Sequence, residues 1–198
     1  MKRLTLLSLL FCSLSLGLSN ATANSWEPSP KLKQLAPNVN VNFRFYDIEA
    51  ESLYELFQKV RLVGPAGQAG NKAAGKASYH MNWQLLFEKK TNMCRIGNAT
   101  VDIDIEIVVP RWLNVDDQSE KSQQNWQIYL GALLDHETGH KDIVIDAADE
   151  LIADIQQAAA KGSCDTIQKA IDKRGFNLLT KARKVSDEYD RKRKLTFQ

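Results

Sequence analysis

The sequence has little histidine, little cysteine and almost no net charge. Its 198 residues contain only three histidines, so a site built from several of them has few places to sit. Three cysteines, one of them Cys12 near the start, exclude a disulfide-dense miniature scaffold. No internal repeat is present, which excludes a solenoid. The glycines at 64, 67, 70 and 75 lack phosphate-loop spacing, so the stretch reads as a flexible loop. The net charge of +2 rests on Lys2 and Arg3, because the first 23 residues hold those two cations and no acid. Without them the balance is 0, and nothing in it points to nucleic acid. The basic residues from Lys181 to Lys194 are interleaved with acids, the pattern of a solvated helix face.

The first 23 residues read as a secretory signal peptide. Lys2 and Arg3 precede an apolar run from Leu4 to Leu18, and Ala21-Thr22-Ala23 is a small-x-small cleavage site. Bulky Phe11 before Cys12, with the apolar run continuing beyond it, argues against a lipoprotein. The run is short for a membrane span, and no positive stop-transfer flank follows it. The expectation is a periplasmic or secreted chain, one domain over residues 24–198, with no membrane span after signal removal. Two cysteines then remain, Cys94 and Cys164. An even count in an exported chain predicts a disulfide between them.

Residues 24–38 carry Pro28, Pro30 and Pro37 and read as an extended lead-in. Val41, Phe43 and Phe45 alternate with polar neighbours, the pattern of a half-buried strand. Ala50 to Arg61 is helical, with Leu53, Leu56, Phe57 and Val60 on one face. Residues 79–87 and 101–109 alternate again and predict two strands joined through a turn region at 88–98. Alternation puts Asp102, Asp104 and Glu106 on a solvent face rather than in a cation site. Pro110 ends that strand, and a polar loop covers 111–120.

The most informative stretch is His136-Glu137-Thr138-Gly139-His140. On a helix, positions four apart lie within about 40° of each other, so two imidazoles there can hold one Zn²⁺ from the same side. Glu137 can then reach a metal-bound water as general base. The surroundings are helical. Trp126, Tyr129, Leu133, Val144, Ala147 and Leu151 recur at helical spacing, and His136 and His140 fall on their face. Unmetallated, two imidazoles and a carboxylate on an apolar face would need several hydrogen-bond partners. A mid-helix glycine costs about 1 kcal/mol, so Gly139 implies a close approach there. This helix is expected over Lys121–Ala160. Gly162 is suited to its C-terminal cap. A second helix is expected over Cys164–Lys194, with Gly175 as the place of a kink. The fold class is α+β: a small antiparallel sheet with one short helix, then a long antiparallel helical hairpin carrying the motif, as in zincins.

With Tyr46-Asp47, Gly64-Pro65, Trp83, Cys94, Pro110-Arg111-Trp112, the histidine motif, Cys164 and Tyr189-Asp190, the chain resembles the domain-of-unknown-function 922 family. Its members are bacterial secreted proteins described as predicted zinc-dependent proteases. The resemblance covers nearly the whole chain beyond the leader. It implies a zinc metallopeptidase acting on a peptide or protein, cell-wall peptide included. Family members continue after the Tyr-Asp pair with a threonine and a histidine, where this chain has Arg191-Lys192. The third ligand is therefore sought among Asp187, Glu188, Asp190 and His80. Folding the hairpin about Gly162 brings the return helix level with the motif near residue 186. Asp190 is preferred because the Tyr189-Asp190 pair matches the family. Tyr189 would then orient a ligand or hydrogen-bond the tetrahedral intermediate. The alternative is a non-catalytic cell-envelope module that binds zinc or a partner. The strand Val101–Val109 is the candidate edge for binding an extended peptide.

Overall fold

The computed structural model describes residues 30–67, 71–90, 93–158 and 163–193. The expected signal peptide lies outside them. The elements are α1 (Pro30–Lys33), β1 (Asn38–Ile48), α2 (Leu53–Val63), β2 (Lys76–Lys90), β3 (Met93–Trp112), a short 3-10 turn at Val115–Asp117, α3 (Glu120–Gln157) and α4 (Cys164–Lys192). The chain is α+β, and among the described residues no helix is long and apolar enough to cross a membrane.

The sheet is mixed, not antiparallel as expected. Its order is β1-β3-β2, with β2 antiparallel to β3 and β1 parallel to it. The chain leaves β1 through α2 and a loop before β2, so β1 can lie on the far side of β3 and run the same way. Crossovers of this kind leave no local mark in the sequence. The strands are also longer than their alternation. β2 continues to Lys90 and β3 begins at Met93, so most of the expected turn at 88–98 is paired strand. The register shifts beside Leu86 and Phe87, where Phe87 faces Ile96 and Gly97 is left over. That bulge breaks the period of two and hides the first turns of β3.

β3 is the central strand and the floor of the core. Val101, Ile103, Ile105, Ile107 and Val109 are fully buried beneath α3. Its opposite face is polar, as alternation predicts. Asp102, Asp104 and Glu106 accept hydrogen bonds from Asn38, Asn40 and Arg44 of β1. α2 starts at a Ser52 cap and packs Phe57 edge-on against Tyr129, 4.9 Å between ring centroids. α3 starts at Ser119, whose hydroxyl accepts from the Ser122 amide. α4 starts the same way at Ser163.

α4 runs back along α3. Cys94 and Cys164 form the disulfide, Cα atoms 5.3 Å apart and 70 residues distant in sequence. A loop of that size is worth roughly 4 kcal/mol in the chain-entropy account. Further along, Arg174 donates to Asp154 and Lys181 to Glu150. α4 is one continuous helix through Gly175. The glycine is a contact point rather than a kink. A Cβ there would lie 2.6 Å from Trp83 Cζ2, and the same indole donates to Asp172 at 2.8 Å.

Two glycine substitutions should therefore act oppositely. Gly131→Ala in α3 meets nothing within 4 Å and should raise stability by up to about 1 kcal/mol. Gly175→Ala should lower it by about 1 to 3 kcal/mol, because Trp83 has to move. Thermal melts of both variants check this; a stabilised Gly175→Ala would contradict the packing.

Candidate metal and catalytic site

The motif helix presents His136 and His140 toward α4. Their Nε2 atoms lie 3.1 and 2.8 Å from one atom, Oδ1 of Asp190. These three ligand atoms fall within 4.8 Å of one another, the one such cluster among the described residues. The Tyr189 ring completes the group, stacked on His136 with centroids 5.0 Å apart and edge-on to His140 at 5.1 Å. Gly139 makes this possible. A Cβ at that position would fall inside the Tyr189 phenol. The close approach expected at Gly139 is thus the tyrosine next to Asp190.

Glu137 points to the other side of the same cleft and is only 4% exposed. Its carboxylate takes the Ala77 backbone N–H from the start of β2. Gly75 leaves the room for it, since a Cβ there would lie 2.7 Å from Glu137 Oε1. Burial pushes the Glu137 carboxyl up to about 7; the Ala77 amide opposes this and the Asp190 charge adds to it. Burial also holds the His136 imidazole below its ordinary value, helped by neighbouring His140 and opposed by Asp190. A neutral imidazole is the form that binds a metal. The cleft has a volume of about 510 Å³, and Arg183, Asp187 and Arg193 lie on its rim.

The other residues considered for a third ligand lie elsewhere. His80 faces Asp104 on the solvent side of the sheet. Glu188 is exposed and paired with Lys192. Asp187 reaches the cleft wall, outside the three-residue cluster.

Sequence reasoning missed the loop that closes the site. Read as a linker, residues 64–76 are tied together where described: Ala73 donates to the Pro65 carbonyl and Gly67 to that of Asn71. Tyr46 donates to the Ala74 carbonyl at 2.6 Å, fixing Gly75 and Ala77 against Glu137. The only sequence signal was Gly75, lost among its neighbours. The expected peptide-binding edge is also corrected. β3 is paired on both sides, so the edge beside the site is β2.

The sequence profile of a family described as a bacterial protein of unknown function (DUF922) matches residues 43–196. The chain belongs to the DUF922 family. The match takes in β1 from Phe43 onward, the other two strands, the motif helix and the Tyr189-Asp190 pair. No curated protein and no solved structure matches significantly. Family membership therefore brings no activity with it, and chemistry has to be argued from the site.

The donor set suits a borderline ion such as zinc: two imidazole nitrogens and one carboxylate oxygen. Ligand atoms around a tetrahedral zinc with bonds near 2.0–2.1 Å sit about 3.3 Å apart. The two histidine contacts to Asp190 are a few tenths of an ångström shorter. Asp190 can give that distance, being near the end of α4 with 37% of its side chain exposed.

Gly139→Ala tests the group as a unit. Alanine gains about 1 kcal/mol of helix propensity, but the displaced Tyr189 should outweigh it, for a net loss of about 1 to 2 kcal/mol. Zinc affinity should fall in the same variant. A higher melting temperature with unchanged zinc binding would detach Tyr189 from the site.

Proposed function

We propose that this DUF922 protein is a periplasmic or secreted zinc-dependent peptidase with a zincin-like site. The observation that carries the reading is the meeting of His136, His140 and Asp190 on one point, with the buried Glu137 carboxylate beside it. His136, His140 and Asp190 would hold the ion. Bound zinc would supply Lewis acidity for a scissile carbonyl and lower the pKa of water toward about 7.

The chain's own residues supply the rest. Glu137 takes a proton from the attacking water and delivers it to the leaving amine nitrogen as the C–N bond breaks. Burial raises its pKa above the ordinary carboxylate value. Ala77 and Gly75 fix the carboxylate, and Tyr46 fixes the loop that bears them. Tyr189, stacked on His136 and edge-on to His140, would orient the two ligands. An extended peptide would pair with the outer edge of β2, the sheet edge beside Glu137. Peptide stems of the cell wall satisfy the same chemistry as protein chains.

Two variants test this. Glu137→Gln should bind one zinc per chain and lose peptide hydrolysis by at least about 100-fold, the lower scale of general-base loss. Asp190→Ala should weaken zinc by at least about tenfold, while His80→Ala and Glu188→Ala should not. Undiminished turnover in Glu137→Gln would exclude the mechanism. Zinc retained by a wild-type protein that cleaves no protein or cell-wall peptide would favour the non-catalytic binding module.

A further inference from the structure

The edge of the sheet remote from the site is unguarded. β1 is 11 residues long and pairs with β3 without a bulge from Asn38 to Ile48. Among the described residues nothing pairs with its other edge. Natural edge strands are usually blunted by lysine, proline or bulges. β1 has none of these; its only charged side chains are Arg44 and Asp47.

Its side chains are unusual for an exposed edge. Val39, Val41, Phe43 and Phe45 lie opposite Ile103, Ile105, Ile107 and Val109, on the helix-covered face. α3 packs chiefly over β3 and β2. The four side chains are left 40%, 36%, 47% and 52% exposed, an apolar shelf continuous with the core. Arg111, held by Asp47, lies over Phe45 at 5.6 Å and ends the shelf with charge. Contiguous exposed apolar surface of this kind marks an interaction site.

We infer that β1 pairs antiparallel with β1 of a second copy, joining two three-stranded sheets into one of six strands with Asn42 on the two-fold axis. The sequence of the strand is complementary to itself in this register. Phe43 then faces Val41 of the other copy, and Phe45 faces Val39, so each large ring meets a small side chain. On the polar face Arg44 meets Asn40. The alternatives are worse. An axis at Phe43 sets Asp47 against Val39, and an axis at Arg44 sets like charges opposite each other, which is unfavourable. An axis between two residues pairs apolar with polar positions throughout. The cleft lies beside the opposite edge, which β2 forms. The inference therefore stands or falls independently of the peptidase reading.

The test is the oligomeric state of the exported chain by sedimentation over a concentration series, with site-directed cross-linking. Wild type should be a dimer at micromolar concentration. Phe43→Lys, at a half-exposed position, should keep the melting temperature and raise the dissociation constant by at least about tenfold, as a charge on an edge strand does. Asn42→Cys should form a covalent dimer under mild oxidation, its Cβ atoms about 5 Å apart across the axis. Phe45→Cys should not, because its copies lie about 20 Å apart along the strands. A wild-type chain that is monomeric throughout overturns the inference. So does a dimer indifferent to Phe43→Lys, or one that cross-links through position 45 instead of 42.

Discussion

The site depends on α3 and α4 holding one register. A slip of one residue moves a side chain 1.5 Å along the helix and about 100° around it. Asp190 would then leave the two imidazoles. Contacts of α4 with the sheet and with α3 oppose the slip, and they differ in kind. The disulfide at Cys164 fixes one end. Trp83 lies in the gap left by Gly175, and the ion pairs of Asp154 and Glu150 follow. The ring of Tyr189 lies in the gap left by Gly139. The exposed ion pairs add little energy each, so the covalent link and the two aromatic contacts set the alignment.

These contacts also explain how much of the site could be read from the sequence. The motif and its helix were legible because helical periodicity is local. The return level was legible to within about one turn. Counting from Gly162 gave 186, yet the pairs Asp154–Arg174 and His140–Asp190 are centred at or just beyond Cys164. Gly162 lies outside the described residues, and the pairs are centred on the disulfide end of α4. That moves the facing position on toward 190. Gly139 and Gly175 were visible as costs, but the aromatic rings that fill their gaps come from residues distant in sequence.

The sheet was less legible for a related reason. Alternation reports which residues share a face; it does not report direction or neighbours. β1 looked half-buried because its odd positions are apolar, and those positions do lie on the core side. The helices leave them partly exposed. The start of β3 was hidden by the bulge at Gly97, and β3 looked like an edge because nothing in its own sequence records a parallel partner. The Gly75–Ala77 segment was missed because its role is to leave space and offer a backbone amide, neither of which has a side-chain signature.

The electrostatics of the cleft favour a cation on physical grounds alone. Glu137 and Asp190 face one region, where burial and then the Asp190 charge raise the Glu137 pKa toward about 7, against the Ala77 amide. The histidine beside them is held toward its neutral form by burial. Arg183 and Arg193 line the same cleft, and the Arg193 charge adds to the lowering of the His136 pKa. A dication at the meeting point of His136, His140 and Asp190 would reverse the balance. It would cancel the Asp190 charge that raises Glu137, take the lone pairs of neutral imidazoles, and leave Glu137 ionised as a base. The same burial that raises the Glu137 pKa would keep its carboxylate unsolvated, and so basic, beside a bound metal.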